Sequence, residues 1–356
     1  VGYFENFGHR DRERDLPVGD DTIWRLYSMT KPVTGVAMMT LYERGHFQLD
    51  DAVDRWIPEW KNMTVSEPHP NGGTRVVPAH RPPTIRDILT HTSGIGYGPE
   101  NRDLVLGTRG WSPDHDLASL AAAFGEWPLR FQPGTRWLYS HGMDVAARLV
   151  EIMSGLPYDE YLRQVIFEPL GMSDTDFSVP ADRVERFAAC YGRNARKELV
   201  LVDDPTTSRY LEQPKLLDGG GGLVGTGPDY VRFCSMLANG GELDGRRVLG
   251  RKTLELMTTN HLPGDGEMSN LALPNAYGEV GFNGTGFGLT VSVTKGPQAT
   301  GVVGSAGSFA WGGAASTTFW VDPAEQLAVV FMTQLLPSRT FNFPGQLKAL
   351  VYGALL

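Results

Sequence analysis

The chain has 356 residues, 41% of them apolar, with a formal net charge of −9 and a sequence pI near 5.4. That length can bury a large core, as one large domain or two interleaved lobes, while the acidic balance argues against nucleic acid or an anionic membrane as the main partner, since both need clustered Lys and Arg. The arginines of Arg10–Arg14 are balanced by acids, no long apolar run is present to span a bilayer and the first residues lack a secretory signal pattern, so a cytoplasmic protein is expected.

Val1 to Phe7 reads as the end of a strand, and Asp20 to Tyr27 runs directly into a helix. There Val33, Val36, Ala37, Thr40 and Leu41 follow the rhythm of one buried face, closed by Gly45. Ser28-Met29-Thr30-Lys31 sits at the mouth of this helix. Positions three apart share a helix face, so the Lys31 amine can lie beside the Ser28 hydroxyl and hold or remove its proton. Pro32 is tolerated in a first turn, and the amides exposed there stabilise negative charge near Ser28. A plain N-cap serine accounts for the same four residues. The spacing recurs at Ser292-Val293-Thr294-Lys295, but Thr290–Thr294 reads as a strand, where residues three apart point to opposite faces.

Glu67 to Pro83 carries Pro68, Pro70, Gly72, Gly73, Pro78, Pro82 and Pro83, too much punctuation for regular structure. Helices resume from Thr84, with Asp116–Phe124, Gly142–Ser154 and Tyr158–Pro169 as the clear segments. His91, in Leu89-Thr90-His91-Thr92-Ser93-Gly94, reads as a turn residue rather than a catalyst. Phe131 to His141 passes through a Pro133-Gly134 turn and places Tyr139 and His141 in a short connection before the helix of Val145, Leu149, Ile152 and Met153. Such a connection can project side chains into a cleft, where a phenol near a lysine can serve as general base. A packed tyrosine bonded to backbone is the other reading.

From about residue 217 the character changes. Gly220, Gly222 and Gly225 satisfy G-x-G-x-x-G, yet Tyr210–Asp218 with Pro214 and Lys215 is no buried parallel strand and no G-K-[ST] follows, so a dinucleotide site is discounted. Thr226 caps a helix over Pro228–Asn239. Strands follow near Gly286–Thr294, Thr317–Val321 and Leu327–Thr333, with a last helix after Pro344. Ala306 to Ala314 joins small residues to Trp311, and Gly312-Gly313 would let main chain approach a ligand and offer an amide to an oxyanion. A glycine-rich strand edge or bulge is the alternative.

Cys190 and Cys234 are too few for a disulfide framework or a zinc site and read as buried thiols. The eight histidines form no H-E-x-x-H or tight cluster, so neither a metal nor another cofactor is expected. The G-x-S-x-G elbow of α/β-hydrolases is absent from the sequence, so serine catalysis needs another scaffold. Strands at both ends around a helical middle predict an α+β fold, a mainly antiparallel sheet flanked by helices, with the N-terminal strand joining the C-terminal ones. Residues 1–60 and 217–356 would form the sheet lobe and 61–216 a mostly helical lobe, with Ser28 in the cleft between them.

Taken in order, Ser28-Met29-Thr30-Lys31, Asp87–Gly94, Pro133–Ser140 and Gly219–Thr226 resemble the serine β-lactamase-like superfamily, which includes class C β-lactamases and penicillin-binding proteins. Within the class C branch the chain is similar to the family VIII carboxylesterases, whose S-x-x-K, Y-x-x and W-G-G elements occur in this order, and the likeness covers nearly the whole chain. Members usually carry a further helix and strand ahead of the point where this sequence begins. The resemblance implies Ser28 as nucleophile, Lys31 as its proton partner and Tyr139 as general base, with an oxyanion hole from the backbone N–H groups of Ser28 and Ala314. Two departures bear on substrate. His141 stands where the Asn of Y-x-N is usual, and Trp311-Gly312-Gly313 stands where K-T-G is usual. An indole in place of that lysine removes a charge for a substrate carboxylate and adds an apolar wall, with His141, Trp311, Gly312 and Gly313 as substrate-binding positions. The expected function is hydrolysis of small or hydrophobic carboxylic esters through an acyl-enzyme. A β-lactamase or D-amino-acid peptidase, and a noncatalytic penicillin-recognising sensor domain, are the alternatives.

Overall fold

The computed structural model describes residues 1–96, 115–274 and 276–355. Its architecture is α+β, with antiparallel sheets and packed helices. The first strands are a hairpin, β1 (His9–Asp11) with β2 (Leu16–Pro17). The expected strand over Val1–Phe7 is not formed: this stretch has no ladder partner among the described residues and leaves Val1, Tyr3 and Phe7 exposed.

Next, β3 (Ile23–Arg25) leads into the 3-10 turn Tyr27–Met29 and then helix α1 (Thr30–Glu43). Every residue from Thr30 to Leu41 is buried. The helix is therefore enclosed on all sides rather than along one face, and its polar residues are satisfied internally. Thr34 donates to the carbonyl of Gly219 (2.6 Å) and shares a hydrogen bond with Tyr158 (2.6 Å), while Thr40 meets Tyr161 (2.8 Å). Buried hydroxyls need such partners, because desolvating one without a hydrogen bond costs about 1–3 kcal/mol.

The proline-rich stretch is regular after all, since β4 (Thr64–Pro68) and β5 (Thr74–Pro78) pair as a hairpin. Pro68 and Pro78 stand at strand ends, where a missing N–H does no harm to the ladder. Helix α2 (Ile85–Leu89) opens with a capping box between Thr84 and Asp87. Helix α3 (Leu117–Phe124) is capped by Asp116, and α4 (Gly142–Ser154) ends at Gly155 in the left-handed region. Helix α4 packs along α1. The predicted Tyr158–Pro169 helix is a composite of α5 (Tyr158–Leu162), a π-helical turn Arg163–Phe167 and α6 (Glu168–Leu170).

A small sheet holds β6 (Cys190–Arg193) and β7 (Leu199–Asp203), and both cysteines are free and buried. Strand β8 (Val224–Thr226) pairs antiparallel with β3, and Thr226 caps α7 (Gly227–Ala238) through the Asp229 amide. After the short hairpin of β9 (Glu242–Leu243) and β10 (Arg246–Arg247) come β11 (Thr285–Phe287), β12 (Ser292–Thr294), β13 (Phe309–Gly312), β14 (Thr318–Asp322) and β15 (Leu327–Phe331). These last five form one antiparallel sheet in sequential order, covered on one side by α7. Among the described residues, the N-terminal chain has no hydrogen bond to this sheet, contrary to expectation. Its β3 instead joins β8, and the ladder continues beyond the strand as Leu26 donates to Leu223 (2.9 Å). Among the described residues, no helix is long and apolar enough to cross a membrane.

Candidate active site

Ser28 lies in the turn between β3 and α1, two residues ahead of the helix rather than within it. The turn is fixed from both sides. On one side Arg25, wholly buried, donates to Asp203 (2.8 Å), to the carbonyl of Ala188 (2.5 Å) and to Ser208 (3.2 Å), with its guanidinium over the Phe187 ring at 4.0 Å. On the other, Tyr230 donates to the carbonyl of Met29 (2.9 Å) and the Leu223 amide donates to Thr30 (3.1 Å). Tyr27, immediately before Ser28, adopts φ = 45°, a left-handed conformation that a bulky residue holds only when its surroundings impose it.

Lys31, on the first turn of α1, places Nζ 3.3 Å from Ser28 Oγ and donates to the carbonyl of Gly220 at 2.6 Å. Gly220 belongs to the glycine run that superficially matched a nucleotide motif. The run closes tightly on α4: a Cβ on Gly219 would stand 2.4 Å from the Met143 carbonyl oxygen. Its small residues thus serve close packing and carry a carbonyl to Lys31.

Tyr139 approaches from the connection before α4. Its hydroxyl stands beside the Ser28 side chain and accepts the indole N–H of Trp311 at 3.3 Å. The ring is boxed by Trp137, stacked at 6.3 Å, by His91, edge-on at 5.0 Å, and by Trp311 at 5.4 Å, while Lys31 Nζ lies 4.6 Å from its centroid. His91 does occupy a turn, at φ = 58°, and is also bonded to Ser140 (2.9 Å), so it supports the Tyr139 wall.

Trp311 sits on β13, the middle strand of the five, which excludes a strand edge. It is fully buried against Tyr139 and Phe287. Beyond Gly312, Gly313 donates to the Thr317 carbonyl (2.8 Å) and fits against the Ser28 turn so closely that a Cβ would lie 2.5 Å from the Leu26 carbonyl oxygen. Ala314, half-buried, follows Gly313 directly in the chain. His141 is buried, bonded through Nδ1 to Asp144 (3.0 Å) and stacked on Phe124. The second S-x-x-K copy is elsewhere, with Ser292 bonded to the Ala310 carbonyl (2.8 Å) and Lys295 beside Asp265.

Burial sets the charge states. It brings Lys31 down to about 8, against the opposing pull of Asp218, Asp144 and Glu279. It holds Tyr139 well above the usual phenol value, and Glu279 adds to this. His141 falls to about 3 and His91 lies well below the usual imidazole range, both through burial. Asp144 and Asp218 are raised by burial, and Asp218 further by its neighbour Asp144. Sequence reasoning missed Asp144, Asp218 and Glu279. The signal for Asp144 was its i, i+3 spacing from His141 at the start of α4, whereas nothing local marked Asp218 or Glu279.

A serine hydroxyl, a lysine whose pKa burial lowers and a phenol meet at one buried junction of a helix and an antiparallel sheet, the groups a serine hydrolase uses. Residues 1–352 match the Beta-lactamase family model, and the chain belongs to that family. It is 35% identical over 338 residues to Protein Rv1367c of Mycobacterium tuberculosis, covering 93% of this chain and 82% of that one. To Esterase EstB of Burkholderia gladioli it is 32% identical over 359 residues, covering 92% and 81%. The solved structure of EstCE1, described as a hydrolase with promiscuous acyltransferase activity, superposes with a TM-score of 0.79 at 25% identity, covering 97% of this chain and 89% of that one.

Proposed function

We propose that the protein is a serine carboxylesterase that hydrolyses small or hydrophobic carboxylic esters through an acyl-enzyme on Ser28. The observation that carries this reading is the convergence of the Lys31 amine (3.3 Å) and the Tyr139 hydroxyl on Ser28 Oγ.

In the first step Ser28 Oγ bonds to the ester carbonyl carbon and its proton passes to Lys31. The electrostatics favour Lys31 for this proton, since its amine form is accessible near neutral pH, whereas the raised Tyr139 remains a phenol. The negative carbonyl oxygen is received by the backbone N–H groups of Ser28 and Ala314. As the ester C–O bond breaks, Tyr139 donates its proton to the departing alkoxide, and the proton held by Lys31 returns to the phenolate. Water then attacks the acyl-Ser28 ester with the roles reversed, releasing the acid. An alcohol in place of water would complete acyl transfer, a second reading that the description of EstCE1 supports.

An indole where a carboxylate-binding lysine would be needed weighs against β-lactams and peptides, and the completeness of Ser28, Lys31 and Tyr139 weighs against a noncatalytic sensor. The test is steady-state hydrolysis of p-nitrophenyl acetate, butyrate and octanoate beside nitrocefin, with wild type and Ser28→Ala. Ester turnover that vanishes in Ser28→Ala, with little nitrocefin cleavage, is expected. Nitrocefin turnover exceeding ester turnover would assign the protein to the β-lactamases instead.

A further inference from the structure

Behind Lys31 lie two carboxyl groups that the proposed reaction does not use. Asp144, on the first turn of α4, and Asp218, just before the glycine run, are both buried and lie next to each other. Asp218 accepts the Gly220 N–H at 2.6 Å, and the carbonyl of that same residue accepts Lys31 Nζ at 2.6 Å. Asp144 Oδ2 takes the His141 ring N–H at 3.0 Å, whereas Asp144 Oδ1 is buried with no donor among the described residues. The amides of Gly219 and Gly220 face the Asp144 carboxyl but do not meet hydrogen-bond geometry at that oxygen.

Two ionised carboxylates are acceptors only, so contact between them without a proton would leave a buried oxygen unsatisfied beside a like charge. One proton between them removes both penalties. We propose that Asp144 and Asp218 share a single proton and so present one negative charge to the Lys31 ammonium, acting as positioning residues that set when Lys31 gives up its proton. Among the remaining groups Glu279 also pulls on Lys31, less than either aspartate. His141 and His91 are neutral, Tyr158 is a phenol bonded to Thr34, and Glu279, also buried, lies on the Tyr139 side of Lys31, bonded to Tyr277 (2.9 Å). One ammonium and one shared-proton pair make a neutral unit, the arrangement that a site closed to water tolerates best.

The inference rests on Lys31 as the base, and two measurements separate its failure from the failure of that reading. The first is independent of turnover: infrared titration of the protonated carboxyl stretch at pH 7. The wild type should show a component that disappears in both Asp218→Asn and Asp144→Asn, because a lone remaining carboxyl ionises opposite Lys31. A band unchanged by both substitutions overturns the proposal, as does its absence from the wild type.

The second is the pH profile of p-nitrophenyl butyrate hydrolysis. Either single variant keeps one carboxylate, so the acid limb should stay within about half a pH unit of wild type. The double variant removes the counter-charge, and the limb should move down by at least about one unit, about a tenfold gain in relative rate on the acid side. A single variant that moves the limb as far as the double, or a double variant that leaves it in place, overturns the proposal. Should the double variant not fold, the infrared band of the single variants decides.

Discussion

Trp311 and Tyr139, 172 residues apart, are joined by an indole N–H to phenol hydrogen bond of 3.3 Å. The bond ties the middle strand of the sheet to the connection ahead of α4. An indole N–H can only donate, so the Tyr139 oxygen accepts here and its own O–H acts as the donor toward Ser28 or a leaving group. Trp311→Phe keeps the ring and removes the donor. Losing a neutral hydrogen bond of about 1 kcal/mol should lower kcat about fivefold with little change in KM. Steady-state kinetics on p-nitrophenyl butyrate would check this, and an unchanged kcat would leave Trp311 with packing alone.

Tyr139→Phe removes the hydroxyl and leaves the aromatic box of Trp137, His91 and Trp311 intact. If Tyr139 carries a proton to the leaving group, turnover should fall by about 10²–10⁴. Circular dichroism and melting would show the fold retained. Activity within about threefold of wild type would remove Tyr139 from the proton path.

The rate should follow Lys31 with pH. Burial lowers its folded-state pKa from 10.5 to about 8, so the ammonium predominates below that value and the amine above it. With the Lys31 amine as the proposed working form, kcat/KM should rise about tenfold per pH unit below about 8 and level off above. A limb near the ordinary imidazole value would point to a histidine instead. Tyr139 should add no ionisation in this range, since burial and Glu279 hold it far above neutrality.

Gly313→Ala introduces a Cβ 2.2 Å from Thr317 Oγ1 and 2.5 Å from the Leu26 carbonyl oxygen. Backbone must move, so a cost of about 1–3 kcal/mol is expected from overpacking, with a matching fall in the thermal midpoint. Because the displaced strand adjoins Ser28, activity should fall further than stability alone explains. A variant with wild-type melting and wild-type turnover would refute the close approach.

Lys295→Ala tests the decoy motif. Its ammonium lies 3.7 Å from Asp265 on an exposed loop, and Ser292 is engaged by the Ala310 carbonyl, so ester hydrolysis should stay within about twofold of wild type. A large loss in the purified, folded variant would place the reactive serine at Ser292 instead.

Sequence periodicity located the elements whose signals are local. Helix α4 matches its predicted bounds, because the apolar rhythm begins at a connection and stops at a left-handed Gly155. The Thr64–Pro78 hairpin was hidden because its prolines occupy strand ends, and composition alone cannot distinguish those positions from a loop. The Val1–Phe7 segment showed strand-like residues, but a strand needs a neighbour that a sequence cannot display. The site follows the same division. Ser28 and Lys31 meet through helical spacing, which is local, whereas Asp218 meets Asp144, and Trp311 meets Tyr139, only through tertiary folding.

Arg25 draws one further consequence. Three residues before Ser28, it gathers partners near positions 188, 203 and 208, and its own backbone bonds with Gln334, 309 residues away. The Ser28 turn is thus held by chain segments that meet only when folding is nearly complete. Labelling of Ser28 by an active-site phosphonate during refolding should therefore lag behind helix formation, making reactivity a reporter of final assembly rather than of secondary structure.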